Sequence, residues 1–254
     1  MTVTTLPPGF SAPARVIAHR GASGSAPENT LSAFRLAHEL GARWVEFDVR
    51  LTTDGRPVVF HDDHLDRTTD GGGPLAETPL SALGDLDAGQ WFDPAFAGEL
   101  VPTLEEVLDL LSDMGMGANI ELKPHPGHER ETAEISLSVA RELWPPEAPP
   151  LLISSFSDSA LAVARDVAPQ WPRGLVVGAL ADDWRDRAAQ VAAWSIHCDA
   201  ELLNARGVAE VLDAGYRVMV YTVNDPGRAV NLWDWGVDSI ITDRPEALLS
   251  LAGS

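Results

Sequence analysis

Between residues 151 and 251 the chain alternates short β-forming segments with helix-forming ones, and this rhythm limits the possible folds more than anything else in it. Segments 151–154, 174–177, 195–198, 217–223 and 239–242 read as strands, and 158–167, 186–193, 201–214, 226–235 and 245–251 as helices. Gly or Pro marks several of the joints, as βα repeats require. Parallel strands need a crossover between them, and a helix supplies it, so the alternation predicts a parallel sheet closed or wound by helices. The N-terminal half adds strands at 15–18, 44–49, 58–60 and 118–123, the last ended by Pro124, and helices at 31–40 and 103–114, the latter opened by the capping-box pair Thr103 and Glu106. No element is assigned between Pro124 and Leu151. Neither a GxGxxG fingerprint nor a P-loop follows the first strand, which weakens a nucleotide-binding fold. The expected fold is α/β, a TIM (βα)8 barrel. Nine strand candidates compete for eight places, and the connection from Glu46 to His61 has no helix. A barrel lacking one outer helix, with one candidate demoted to a loop or an extra ladder, absorbs the excess.

The 254 residues, 45% of them hydrophobic, suffice for one large core, and barrels of this length are commonly single domains. Residues 1–254 are therefore expected to form one domain. A formal charge of −20 argues against nucleic acid and anionic membrane surfaces as partners, since both attract basic patches. An anionic small molecule would need a locally positive site. The single cysteine, Cys198, excludes an internal disulfide and fits a reducing compartment. Residues 1–14 are Pro-rich without the basic and apolar regions of a signal peptide, and no apolar run reaches the length of a bilayer span. The expected location is the cytoplasm, with no membrane anchor; the oligomeric state is left open. Residues 63–102 are rich in Gly, Asp and Pro, and about 40 residues without periodicity are too many for an ordinary connection. They read as an insertion over one end of the core, a lid or specificity wall, with Trp91, Phe92 and Phe96 as its own small core.

Polar residues gather where strands end. Glu46 and Asp48 lie two apart in a strand and so project from one face. Two such carboxylates repel unless a cation sits between them, and a hard divalent ion takes carboxylate oxygens. An edge hairpin with a solvated acidic face explains that pair alone equally well. If 58–60 returns antiparallel about Asp54-Gly55, His61 falls opposite Asp48. His19-Arg20-Gly21 closes the first strand, and Glu121 and Lys123 again share a face, which a structural salt bridge would also explain. In a parallel barrel these four strand ends lie on one rim. Together they supply three carboxylates for a metal, two imidazoles for proton transfer, and two fixed cations for a phosphate. That is an inventory for attack on a phosphodiester. Of the other histidines, His38 reads as packing, His64 as part of the insertion's entrance, His125 and His128 as solvent-exposed, and His197 as core.

The same residues carry a family resemblance. His19-Arg20-Gly21 with Pro27-Glu28-Asn29-Thr30, Glu46-x-Asp48, His61-Asp62 and Glu121-x-Lys123 resemble the signature series of the glycerophosphodiester phosphodiesterases. Pro102-Thr103-Leu104-Glu105-Glu106, Ser154-Ser155-Phe156, Tyr221-Thr222-Val223-Asn224 and Ile241-Thr242-Asp243-x-Pro245 extend the match over nearly the whole chain. Details such as 119–124 and Ser195-Ile196-His197 look most like the cytosolic bacterial branch associated with glycerol-3-phosphate uptake; Tyr221 departs from the Trp of many relatives.

The resemblance implies a barrel of the phospholipase-C-like phosphodiesterase type, interrupted after its third strand by an insertion near 65–101. It implies hydrolysis of glycerophosphodiesters to sn-glycerol 3-phosphate and an alcohol. By position, Glu46, Asp48 and Glu121 bind one divalent cation, Mg²⁺ first and Ca²⁺ next; His19 and His61 are the acid–base pair; Arg20 and Lys123 hold the phosphate; and Asn29 lies near the site as a further substrate-binding residue. The favoured route has the glycerol 2-hydroxyl, made acidic at the metal, attack phosphorus, with one histidine as base, His19 before His61, and the other protonating the leaving alcohol; water then opens the cyclic phosphate. Direct attack by metal-bound water competes with it. The motif series offers the leaving alcohol no aromatic or anionic cage, so broad headgroup tolerance is expected. The rival readings are a lysophospholipase-D-like or phospholipase-C-like enzyme acting on lipids, which the acidic, anchorless chain disfavours, and a non-catalytic barrel, which retention of both histidines and all three carboxylates disfavours.

Overall fold

The structure, a computed structural model, describes residues 12–252. Of the Pro-rich N-terminal stretch, residues 1–11 lie outside the described residues. In chain order the elements are β1 (Val16–His19), α1 (Leu31–Glu39), β2 (Trp44–Leu51), β3 (Pro57–Val59), α2 (Leu80–Leu83), α3 (Leu104–Asp113), β4 (Gly117–Leu122), α4 (Glu129–Leu143), β5 (Leu151–Ser155), α5 (Asp158–Val167), β6 (Arg173–Val177), α6 (Trp184–Gln190), β7 (Ser195–Asp199), α7 (Ala205–Asp213), β8 (Arg217–Tyr221), α8 (Pro226–Asp234), β9 (Ser239–Thr242) and α9 (Pro245–Ala252).

Eight of these strands pair in parallel, in the order β1-β9-β8-β7-β6-β5-β4-β2, and β2 returns to β1 to close a TIM barrel. The ninth strand is the extra ladder: β3 lies antiparallel on the last residues of β2, where β1 has already ended. Its register differs from the expected one. Val49 faces Val59, and the Phe60 N–H donates to the Asp48 carbonyl at 3.0 Å, so Phe60 rather than His61 stands against Asp48.

Alternation along the strands sorts the residues by function. Val45, Phe47 and Val49 of β2 and Ala118, Ile120 and Leu122 of β4 pack outward into the layer of helices. The inward faces fill the bore with large rings at its base, Trp44 and Trp194 with Ile17, Leu152, Met219 and Ile241. These rings require glycine opposite them. A Cβ on Gly117 would lie 2.5 Å from the Trp44 indole, and one on Gly174 would lie 2.3 Å from the His197 imidazole.

Two expectations need correction. Residues 65–101 share a small core with Val58 and Phe60, but their own contribution to it is aliphatic: Leu65, Leu75, Leu83, Ala88 and Val101. Trp91, Phe92 and Phe96 stack edge to face on one another instead, with Trp91 40% exposed. The unassigned segment before β5 contains α4, whose buried face is Thr132, Ala133, Ser136, Leu137 and Ala140. Two hydroxyl residues on that face interrupt the apolar stripe by which such a helix is recognised.

Candidate active site

The C-terminal rim of the barrel surrounds a cavity of about 350 Å³ whose lining includes His19, Arg20, Glu46, Asp48, His61, Glu121 and Lys123. Each arrives there for a local reason. His19 ends β1, and the chain turns sharply through Arg20 (φ 53°) and Gly21 (φ 83°). At Gly21 a Cβ would meet the Ala33 backbone at 2.6 Å, so only glycine lets this loop lie against the first turn of α1. The Arg20 N–H donates to the Glu46 carbonyl at 2.7 Å, which ties the loop to β2, and Thr30 caps α1 through the Ala33 N–H.

Glu46, Asp48 and Glu121 offer carboxylate oxygens within 4.8 Å of one another. Lys123 Nζ stands 3.7 Å from Asp48 and 3.5 Å from Glu121, and Arg20 Nε stands 3.2 Å from Asp48. The Asn29 amide donates to Asp48 Oδ2 at 2.9 Å. Two cations thus face three carboxylates, Glu46 and Asp48 buried and Glu121 largely so, and the imbalance appears in their proton affinities. Burial, then Asp48 and Glu121, push Glu46 well above the usual carboxylate range. Burial and Asp48 push Glu121 up to about 7. For Asp48 burial acts upward too, but Arg20 and Lys123 outweigh it and hold the group at about 2. Glu121 Oε1 and Asn29 Oδ1 are buried and accept no hydrogen bond. An oxygen-lined recess short of positive charge, with acceptors to spare, suits a hard divalent cation.

Each imidazole of the site has its own carboxylate. His19 Nδ1 lies 2.6 Å from Asp243 Oδ1, and Asp243 also accepts from Ser23 and Asn224. His61 Nδ1 lies 2.5 Å from Asp62 Oδ1. With Nδ1–H donated to a carboxylate, each ring keeps Nε2 for chemistry. Burial, together with Arg20 and Lys123, lowers the proton affinity of His61 against the pull of Asp48 and Asp62. Asp62 and Asp243 belong to the His61-Asp62 and Ile241-Thr242-Asp243-x-Pro245 motifs, and each pairs with an imidazole. The signal that finds Asp243 is spatial, since it lies 224 positions from its partner.

The remaining lining includes Tyr221, the departure from the Trp of many relatives, and His197, read from sequence as core; Asn119, Phe156, Val176, Asp199, Thr222 and Ile241 complete it. Phe156 and Tyr221 meet edge to face at 6.1 Å, and with Asp199 they bring aromatic and anionic groups to the cavity that the motif series did not anticipate. His197 is 1% exposed and bonds Ser195 Oγ at 2.9 Å, so it is a core residue that also floors the cavity. His125 is less exposed than its Pro/Gly loop suggests, lying near Arg50 and Asp63, whereas His128 is open to solvent.

Residues 19–247 match the sequence profile of the Glycerophosphoryl diester phosphodiesterase family. A glycerophosphodiester phosphodiesterase of Caldanaerobacter subterraneus is 38% identical over 93% of this chain and 96% of its own length. One from Bacillus subtilis is 34% identical over 91% of this chain and 83% of its own. Among solved structures, an Oleispira antarctica phosphodiesterase in complex with the product sn-glycerol-3-phosphate is 42% identical with a TM-score of 0.92, covering 94% of this chain and 97% of that one. The glycerophosphodiester phosphodiesterase of Agrobacterium tumefaciens is 32% identical with a TM-score of 0.77, covering 93% and 99%.

Proposed function

The chain belongs to the glycerophosphoryl diester phosphodiesterase family and is a hydrolase of phosphoric diesters, and from that premise we propose that its site releases sn-glycerol 3-phosphate from glycerophosphodiesters by metal-dependent catalysis with two histidines. The observation that carries the reading is the pairing of His19 with Asp243 and His61 with Asp62 in the cavity that also holds Glu46, Asp48 and Glu121. The bound product of the Oleispira phosphodiesterase is the one proposed here.

Glu46, Asp48 and Glu121 would hold one divalent cation, Mg²⁺ before Ca²⁺, which when bound supplies charge stabilisation to phosphoryl oxygens and acidifies a hydroxyl beside it. Arg20 and Lys123 hold the substrate's phosphate, and Asn29 orients Asp48. His19 Nε2 accepts the proton of the glycerol 2-hydroxyl while Asp243 stabilises the imidazolium that forms. The alkoxide attacks phosphorus, the bond to the leaving oxygen breaks, and His61 Nε2–H protonates that oxygen. The roles then reverse: His61 takes a proton from water, which opens the cyclic phosphate, and His19 returns its proton to the glycerol oxygen. The whole chain, 65–101 included, works as one domain, with that segment as a wall beside the site. The single cysteine fits a cytoplasmic setting. No helix among the described residues is long and apolar enough to cross a membrane.

Incubating glycerophosphocholine with the protein and Mg²⁺, and following phosphorus species by NMR, tests the reaction. Equal amounts of sn-glycerol 3-phosphate and choline are expected. Phosphocholine with glycerol would place the cleaved bond on the wrong side of phosphorus.

A further inference from the structure

We propose that Arg67 is a positioning residue for this reaction, holding the His61–Asp62 pair and the Arg20–Glu28 pair in register with a single guanidinium. Arg67 is the only Arg or Lys between 65 and 101. It closes the short turn Leu65–Arg67, whose first residue is anchored in the small core. Its side chain therefore leaves from a fixed point beside the barrel rim.

The contacts form one unbroken chain. Arg67 Nε donates to Asp62 Oδ2 at 2.6 Å and Nη2 to Asp62 Oδ1 at 2.9 Å. Nη1 donates to Glu28 Oε2 at 2.7 Å and Nη2 to Glu28 Oε1 at 2.8 Å. On their other sides the same carboxylates reach into the site. Asp62 Oδ1 meets His61 Nδ1 at 2.5 Å, and Glu28 Oε1 accepts from Arg20 Nη1 at 2.6 Å. A guanidinium is planar, and its donors form a rigid fork, so two bidentate pairs on adjacent edges fix both carboxylates at once. A lysine ammonium supplies the charge without the fork.

Arg67 has 46% of its side chain exposed, yet its donors already face carboxylates rather than the cavity, whose lining does not include it. It is thus built to act through Asp62 and Glu28 and not on substrate. A misplacement of about 1 Å in catalytic groups can lower a rate about 100-fold. The insertion's contribution to chemistry, on this account, is one side chain that aligns proton transfer with phosphate binding.

The inference rests on the roles proposed for His61 and Arg20, and the test separates the two. Steady-state kinetics with glycerophosphocholine and saturating Mg²⁺ would compare the wild type with Arg67→Ala, Arg67→Lys, Asp62→Asn, the Arg67→Ala/Asp62→Asn double variant and His61→Ala, with melting temperatures alongside. Arg67→Ala should lower kcat roughly 10- to 100-fold with KM held within about threefold. Arg67→Lys should recover only part of the loss, and it carries the test alone if the alanine variant does not fold. The double variant should lose far less than the product of the single losses, because both changes cut the same chain. A raised KM with kcat retained would make Arg67 a substrate contact, and a fully multiplicative double variant or unchanged kcat would equally overturn the inference. An active His61→Ala would instead overturn the acid–base reading beneath it.

Discussion

Each of the two imidazoles on the rim meets a carboxylate through Nδ1, which leaves Nε2 as the nitrogen proposed to react in both cases. Replacing either His19 or His61 with Ala should therefore cost turnover by roughly 10²–10⁴ or more and leave the circular dichroism spectrum unchanged, since both rings lie on the rim. Near-wild-type rates in either variant would remove that residue from proton transfer. The carboxylates make a second, thermodynamic prediction. Burial, with Asp48 beside it, raises Glu121 to about 7 in the folded protein, from an ordinary value of 4.5. Between those values the folded state keeps a proton that the unfolded state has lost, so metal-free stability should fall as pH rises through that window. A bound divalent cation favours the ionised form and should reverse the trend. Melting curves at pH 5 and pH 8 check this: Mg²⁺ or Ca²⁺ should raise Tm more at pH 8, and an equal or larger rise at pH 5 would contradict the carboxylate assignment.

The strands act as rulers. Glycine at the base of the bore is what admits the His197 ring between β6 and β7, with a Cβ on Gly174 falling 2.3 Å from Nε2. Gly174→Ala should destabilise by about 1–3 kcal/mol in urea unfolding, and a His197→Ala background should relieve most of that loss. An additive double variant would mean that the two do not compete for one space. The same period of two explains how much of the site could be read from sequence. Glu46 with Asp48 and Glu121 with Lys123 sit at i and i+2, and that spacing alone puts each pair on one face. The β3 register was not legible, because sliding a three-residue ladder by one position changes little in the hydrophobic pattern. Helix α4 was hidden because Thr132 and Ser136 occupy its buried face. Asp243 meets His19 across 224 positions and Arg67 meets Glu28 across 39, and no local spacing encodes those contacts.

For the molecule as a whole, a formal charge of −20 surrounds a cavity that must accept an anionic diester, so Arg20 and Lys123 work against the long-range field. That field favours cationic headgroups only weakly at physiological salt, where the screening length is about 8 Å. Glycerophosphocholine, glycerophosphoethanolamine and glycerophosphoglycerol should thus agree in kcat/KM within about tenfold, or roughly 1.4 kcal/mol, with the cationic pair favoured at low salt. A far larger preference that salt does not change would instead assign recognition to short-range contacts such as Phe156, Tyr221 and Asp199. A cation held by Glu46, Asp48 and Glu121 should be part of the working site. Stripping the protein of metal and measuring sn-glycerol 3-phosphate release from glycerophosphocholine, first in excess chelator and then on titration with Mg²⁺ or Ca²⁺, checks this. No release is expected under chelation, with saturable recovery on titration that is weakened in Glu46→Gln; full turnover in excess chelator would remove the metal from the reaction.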